Sequence, residues 1–324
     1  MVDAESGLAA ETGAERQASL TVLRLAMRAS NRFLLDSISF AGADRDLTDN
    51  LIVLAIVQAN LSLIMADPEL QRRYATAEAP PPDELRRPIS INAVAASLRL
   101  PFETVRRRVM HLAEKGLCDI TPRGLVVPQR EVAAPEHVAL LQANFLAVRD
   151  LYLRLRRGEC LAPPAAGPPA PASPPIRAVA RISSDFVLRL VDPVLLTAGS
   201  LAGGFTLLAL FDLNTRSLPD EERGDETPGP AGFVSDDLRR PASVRAVAER
   251  LRLPYEQTRR RLAAFEAEGR CTRIADGYIL SSESLARANM MQAYRSSYVS
   301  LHRMVAALAE LGVLSDWERE LAGG

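Results

Sequence analysis

Two arginine triplets, Arg106-Arg107-Arg108 and Arg259-Arg260-Arg261, are the residues whose type and spacing suggest chemistry in this chain. A guanidinium is permanently charged and planar, with five donors in a fixed fork, so a row of them suits phosphate oxygens or the edge of guanine. That chemistry is recognition of an anionic surface, not bond making. Residues able to make or break bonds are scattered. His111, His137 and His302 lack HExxH spacing, there is no glycine-rich phosphate loop, and Gly203-Gly204 reads as close packing within an apolar helix. Cys118, Cys160 and Cys271 form no CxxC and cannot all pair internally, which fits a reducing cytoplasm. Cys118 and Cys271 read as small buried thiols. No enzyme activity, cofactor or metal is expected.

The elements that must position the arginines occur twice. Residues 86–128 and 239–281 align without a gap at an offset of 153, with 18 of 43 positions identical. In the first copy Ser90 is a good N-cap, and Ala93, Val94 and Leu98 give the inner face of a short helix. Pro101 interrupts it, because proline disfavours helical geometry in the residue before it yet suits the first turn of a new helix. A second helix is expected over 102–115, with Val105, Val109 and Leu112 inward and Gly116 at its end. Two apolar runs follow, 117–121 and 125–127, around Pro122-Arg123-Gly124; the second copy has Asp276-Gly277 there, a strong hairpin signal.

Helix, tight turn, helix and hairpin, with the wording LPFETVRRRVMHLAEKGLCDITPRGLVV, resembles the winged helix-turn-helix DNA-binding domains of bacterial transcriptional regulators of the GntR, MarR and IclR type. The resemblance covers the motif in both copies and no flanking ligand-binding domain. It implies that the second helix enters the major groove of double-stranded DNA with its N-terminal residues leading. Arg106 and Arg107 would then meet a guanine edge and a phosphate, with Glu103, Met110 and His111 on or near the same outer face and Phe102 and Thr104 where bases would be read. Arg108 would lie nearer the buried side, Arg99 would reach backbone phosphates from the turn, and Arg123 would reach a phosphate or the minor groove from the wing. The second copy supplies Arg252, Tyr255, Gln257, Arg259 and Arg260, and Gln257 suits adenine. Arg86-Arg87 and Arg239-Arg240 either touch phosphate or simply end a loop. Since Thr104 becomes Gln257 and Arg123 becomes Asp276, unequal half-sites are expected.

The duplication extends beyond the motif. Phe33-Leu34-Leu35 matches Phe186-Val187-Leu188, and residues 53–57 match 207–211 after one residue of slippage. Downstream, Val138, Leu141, Phe145, Val148, Tyr152 and Leu155 form a helical stripe answered by Met291, Tyr294, Tyr298, Leu301, Val305 and Leu308. The uncharged run 193–211 approaches the length of a membrane span. Its partner in the first copy carries Gln58 and Asn60, so a buried helix is expected and no membrane contact. A Pro/Ala-rich stretch, 161–177, reads as a semi-extended spacer, and the loops 67–88 and 215–241 read as mobile. The expected organisation is a flexible tail (1–16), a helical unit (17–160), the linker (161–177) and a second helical unit (178–324). The fold class is mainly α with small β-hairpin wings: two tandem winged helix-turn-helix units flanked by helices in a pseudo-two-fold arrangement, whose apolar helices could also make a homodimer. Formal charge is −1 overall, yet each 43-residue motif carries +5, leaving −11 on the rest. The expected function is a sequence-specific transcriptional regulator. The alternatives are a plasmid or chromosome replication or partition factor with tandem winged helices, or a winged-helix protein-interaction scaffold. No polar constellation points to a small-molecule effector.

Overall fold

A computed structural model describes residues 20–39, 45–164, 167–218, 233–275 and 277–323. It is mainly helical, with two small antiparallel hairpins. The first repeat contains α1 (Leu20–Ser39), α2 (Leu47–Asn60), α3 (Ile91–Ser97), α4 (Phe102–Glu114), β1 (Asp119–Thr121), β2 (Gly124–Val126) and α5 (Pro135–Arg157). The second contains α6 (Ile176–Arg189), α7 (Val191–Ala198), α8 (Leu201–Thr215), α9 (Val244–Leu251), α10 (Tyr255–Ala267), β3 (Thr272–Ile274), β4 (Gly277–Ile279), α11 (Ala288–Glu310) and α12 (Leu314–Gly323).

The chain forms two compact units, and each draws on both repeats. Unit 1 takes Met1–Leu35, Leu151–Ala165 and Asp192–Val305; unit 2 takes Asp36–Asp150, Ala166–Val191 and Ala306–Gly324. In unit 1, α1 lies on α8: Asn31 Nδ2 donates to Leu208 O at 2.9 Å, and Arg28 Nη2 donates to Thr215 O at 3.2 Å and Leu218 O at 2.8 Å. In unit 2 the equivalent helix, α6, lies on α2, where Gln58 Nε2 donates to Arg181 O at 3.2 Å. Arg181, the counterpart of Arg28, donates to Tyr74 O and Gln71 O at 2.8 and 3.0 Å. α12 also belongs to unit 2, where Trp317 meets Phe145 edge-on at 5.7 Å.

Within each unit a buried asparagine ties the long apolar helix to the hairpin. Asn60, at the end of α2, is fully buried; its Nδ2 donates to Arg87 O (2.7 Å) and Leu125 O (3.1 Å), and its Oδ1 accepts from Val127 N (2.8 Å). Asn214, in the last turn of α8, repeats this with Arg240 O (2.7 Å), Tyr278 O (3.0 Å) and Leu280 N (2.9 Å). Both hairpins gain a third strand position through the bridges Ile89↔Leu125 and Ala242↔Tyr278. Gly124 and Gly277 permit this approach, since a Cβ on either would run into the carbonyl of Ile89 or Ala242, and both sit at positive φ.

Several expectations need correction. The apolar run 193–211 is not one helix: Gly199 (φ +69) and the N-cap Ser200 separate α7 from α8, and the two helices meet at a sharp bend. Among the described residues no single helix is long and apolar enough to cross a membrane. Gly204 packs where a Cβ would collide with the Val194 carbonyl, the close approach expected there. Residues 67–88 are structured, with a short helix, Pro68–Arg73, and a 3₁₀ turn, Asp83–Leu85, because their carbonyls receive the α6 arginines. Ile176 and Arg177, assigned to the linker, open α6 and are buried. In α3 the inner face is Val94, Ala95 and Leu98; Ala93 points outward, its N–H taken by Ser90 Oγ at 3.1 Å. The tail 1–16, Asp276 and most of the loop 215–241 lie outside the described residues.

Replacing Asn60 or Asn214 by alanine leaves two main-chain groups without a partner, Arg87 O and Val127 N or Arg240 O and Leu280 N, while Leu125 O and Tyr278 O keep the N–H of Ile89 and Ala242. Each substitution should cost about 3 kcal/mol, since an unsatisfied buried group costs about 1–3 kcal/mol. Urea titration of the single variants measures this; losses below about 0.5 kcal/mol, the scale of a surface change, would show that the asparagines are dispensable.

Candidate nucleic-acid interface

In each repeat the arginine triplet is carried by a helix that proline starts and glycine stops. Pro101 and Pro254 stand immediately before α4 and α10, and Gly116 and Gly269 close them at positive φ. Val105, Val109 and Leu112 are buried on the inner face of α4; Thr258, Leu262 and Phe265 take those places in α10. The inner stripe fixes which arginines face out.

Two of the three do so in both copies. Arg106 and Arg107 are exposed, as are Arg259 and Arg260. The first of each pair is steadied from the preceding turn: Arg106 Nε bonds Glu103 Oε2 at 2.9 Å, and Arg259 Nε bonds Glu256 Oε2 at 3.0 Å. This bond uses Nε alone. The third arginine turns inward. Arg108 Nη1 bonds Asp46 Oδ1 (2.8 Å) and Asp49 Oδ1 (2.7 Å). Burial works against its charge, but the hydrogen bonds and charges of Asp49 and Asp46 outweigh it and hold the guanidinium above its ordinary pKa. Arg261 donates to Thr206 Oγ1 at 3.3 Å and is lowered by burial.

Arg99 and Arg252 occupy the turn between the two motif helices, both exposed and both left-handed at φ +53. A non-glycine residue there costs about 1 kcal/mol or more, and glycine would adopt the geometry freely. The turn is closed by Leu100 N to Ala95 O (3.0 Å) and Leu253 N to Ala248 O (2.9 Å).

The remaining candidates divide by exposure. Phe102 and Tyr255 keep 41% and 48% of their surface open, large values for aromatic residues, and Glu103, His111 and Gln257 are exposed too. Thr104 is half-buried, and its amide is bonded to Pro101 O. Arg123 is exposed at the tip of the first hairpin, where Thr121 Oγ1 accepts its N–H at 3.2 Å. Arg87 and Arg240 are exposed, but Arg86 and Arg239 are buried. The buried pair reaches carbonyls, Pro81 O for Arg86 and Leu280 O and Val234 O for Arg239, so it ends the loops and does not face a ligand on this surface.

Sequence reading passed over four contributors, Arg130, Arg273, Ile120 and Ile274. Arg130 clamps Asp119 through two nitrogens (2.6 and 3.1 Å), neutralising the one carboxylate on the first hairpin's outer strand. Arg273 is exposed on β3. Ile120 and Ile274 add apolar surface to the hairpins, beside Met110, which the sequence already placed on the outer face of α4. Alternation in a three-residue strand is too short to signal any of these. Cys118 and Cys271 are buried in both copies, and burial raises their thiols to about 11 and about 12, so thiolate chemistry is suppressed at neutral pH.

The inward and outward arginines should separate in a stability measurement. Arg108→Ala strands two carboxylates and should lower the unfolding free energy by about 1–2 kcal/mol, between the surface and buried limits for ion pairs. Arg107→Ala should stay within about 0.5 kcal/mol of the parent. Equal effects in denaturant titrations would contradict this division. No protein-family model, curated protein or solved structure matches the chain.

Proposed function

We propose that each repeat carries a winged helix-turn-helix reading head and that the chain is a sequence-specific regulator of transcription acting on double-stranded DNA. One observation carries the reading. Both repeats keep the same cations exposed, Arg99, Arg106 and Arg107 in one and Arg252, Arg259 and Arg260 in the other, while the third arginine of each triplet is turned to the core. A merely solvated helix face gives no reason for arginine at a left-handed position in both copies; recognition of a phosphate backbone does.

In this reading α4 and α10 lie in the major groove. Arg106 and Arg259, pre-oriented by Glu103 and Glu256, read guanine edges, and Arg107 and Arg260 hold phosphates. Arg99 and Arg252 fix register from the turn, and Arg123 reaches from the wing. The heads differ at Thr104 and Gln257 and at His111 and Ala264, so the site they read is asymmetric.

A second reading has an observation of its own. Phe102, Met110 and Ile120, with Tyr255 and Ile274, expose apolar surface on the same elements, as a protein-docking face would.

Fluorescence anisotropy with genomic fragments, across a salt series, separates the two readings. DNA recognition predicts a steep loss of affinity with salt; Arg106→Ala and Arg259→Ala should each cost about 1–3 kcal/mol of sequence discrimination. Arg99→Gly should keep or raise stability while reducing the salt slope by about one. Salt-independent or absent DNA binding would overturn the proposal and favour protein docking. Genome-wide mapping that finds repeat arrays beside an origin, instead of single operators, would reassign the DNA-binding role to replication or partition.

A further inference from the structure

Unit 2 contains a cavity of about 570 Å³, within the ordinary range of small-molecule sites. Its walls come from α2, α5, α6 and the ends of the first motif, and most of them are apolar, including Leu54, Val57, Leu140 and Leu141. Set into these walls are three buried arginines, Arg86, Arg177 and Arg181, each no more than 6% exposed.

The charges of this trio are only partly compensated: Asp83 pairs with Arg86, and the charge of Glu78 acts on Arg177. Arg177 donates to Ala77 O and Val132 O, and Arg181 to Tyr74 O and Gln71 O, all neutral carbonyls. Arg86 has one carboxylate, Asp83, at 3.1 Å, and its Nη1 has no hydrogen-bond partner among the described residues. Burial lowers the pKa of all three, and the charge of Arg86 adds to the effect on Arg177, as Arg177 does on Arg181, which falls to about 10. The guanidiniums nevertheless keep their protons at neutral pH. His137, also in the wall, is pushed down to about 4, by burial first and then by Arg177, Arg86 and Arg45, so it is neutral and adds no charge of its own. Three buried cations share few carboxylates, and an orphaned donor beside an open apolar volume leaves a place for one further anion.

We propose that this cavity binds a small organic monoanion, a carboxylate on an apolar chain or ring, with the carboxylate at the Arg86–Arg177–Arg181 trio and the apolar body along α2 and α5. Glu131 and Glu136 also line the walls, which disfavours polyanions such as nucleotides. The trio has buried counterparts in unit 1, Arg24, Arg28 and Arg239, so the two units differ at this place in the apolar wall. Where the first repeat has Val57, Leu141 and His137, the second has Phe211, Tyr294 and Met290, all three buried. The repeat that fills this place with rings shows how the open one can be closed by substitution.

The test uses the full chain and isothermal titration with hexanoate, octanoate and 3-phenylpropanoate, each against its primary amide. The expected result is saturable binding of at least one acid at one site per chain, at least tenfold tighter than its amide. Arg181→Met should abolish the preference for acid over amide. The double variant Val57→Phe/Leu141→Tyr, which borrows the second repeat's residues, should remove binding of both while circular dichroism reports an unchanged helical content. Failure of all three acids to bind, equal affinity for acid and amide, or binding that survives the filled variant would overturn the proposal. None of these readouts depends on DNA.

Discussion

The hydrogen bonds of one buried amide hold each half of this structure in register. Asn60 and Asn214 lie at the ends of their apolar helices, where their amides bond the edge strand and the hairpin at once. A primary amide offers donors on one side and an acceptor on the other, so it can bond two strands at once. In an apolar surround any slip of the hairpin by one residue would leave these groups unpaired. The helix-to-hairpin relation then sets the angle at which the arginine helix is presented. Gly124 and Gly277 are the steric counterpart: they let the edge strand approach closely enough for the amide to reach it.

Around this shared constraint the two copies have solved the same problem differently. Arg108 is neutralised by Asp46 and Asp49, and Asp46 also caps α2 through the amides of Thr48 and Asp49. Arg261 has only a threonine hydroxyl, and the buried carboxylate of its unit, Asp212, serves Arg216 and Arg250 and lies 3.5 Å from Arg32. The outward arginines are unchanged although the inward ones have been rewired.

Much of the local structure was legible in the sequence. The duplication, the proline-started and glycine-stopped arginine helices, the hairpins and the long stripes of α5 and α11 all follow from periodicity and turn chemistry. The inward turn of Arg108 was readable from the position of Val105, Val109 and Leu112. What the sequence hid is non-local. Nothing in the wording of α1 says that it lies on the second repeat's helix, because an amphipathic face records that it is buried and not against what. Gly199 looked like one more small residue in an apolar run until the Ser200 cap showed a new helix starting. Arg177 fell at the end of the expected linker and Arg181 drew no reading, because burial of arginine depends on carbonyls about a hundred residues away.

The exchange of helices between repeats has a consequence for synthesis. Unit 2 begins at residue 36 but takes its α6 wall from residues 176–189 and its α12 from residues 314–323. The first motif therefore leaves the ribosome long before the segments that complete its core have been translated. Neither core is complete when the first repeat has been made: unit 1 draws on the chain up to Val305, and unit 2 needs α12 beyond it.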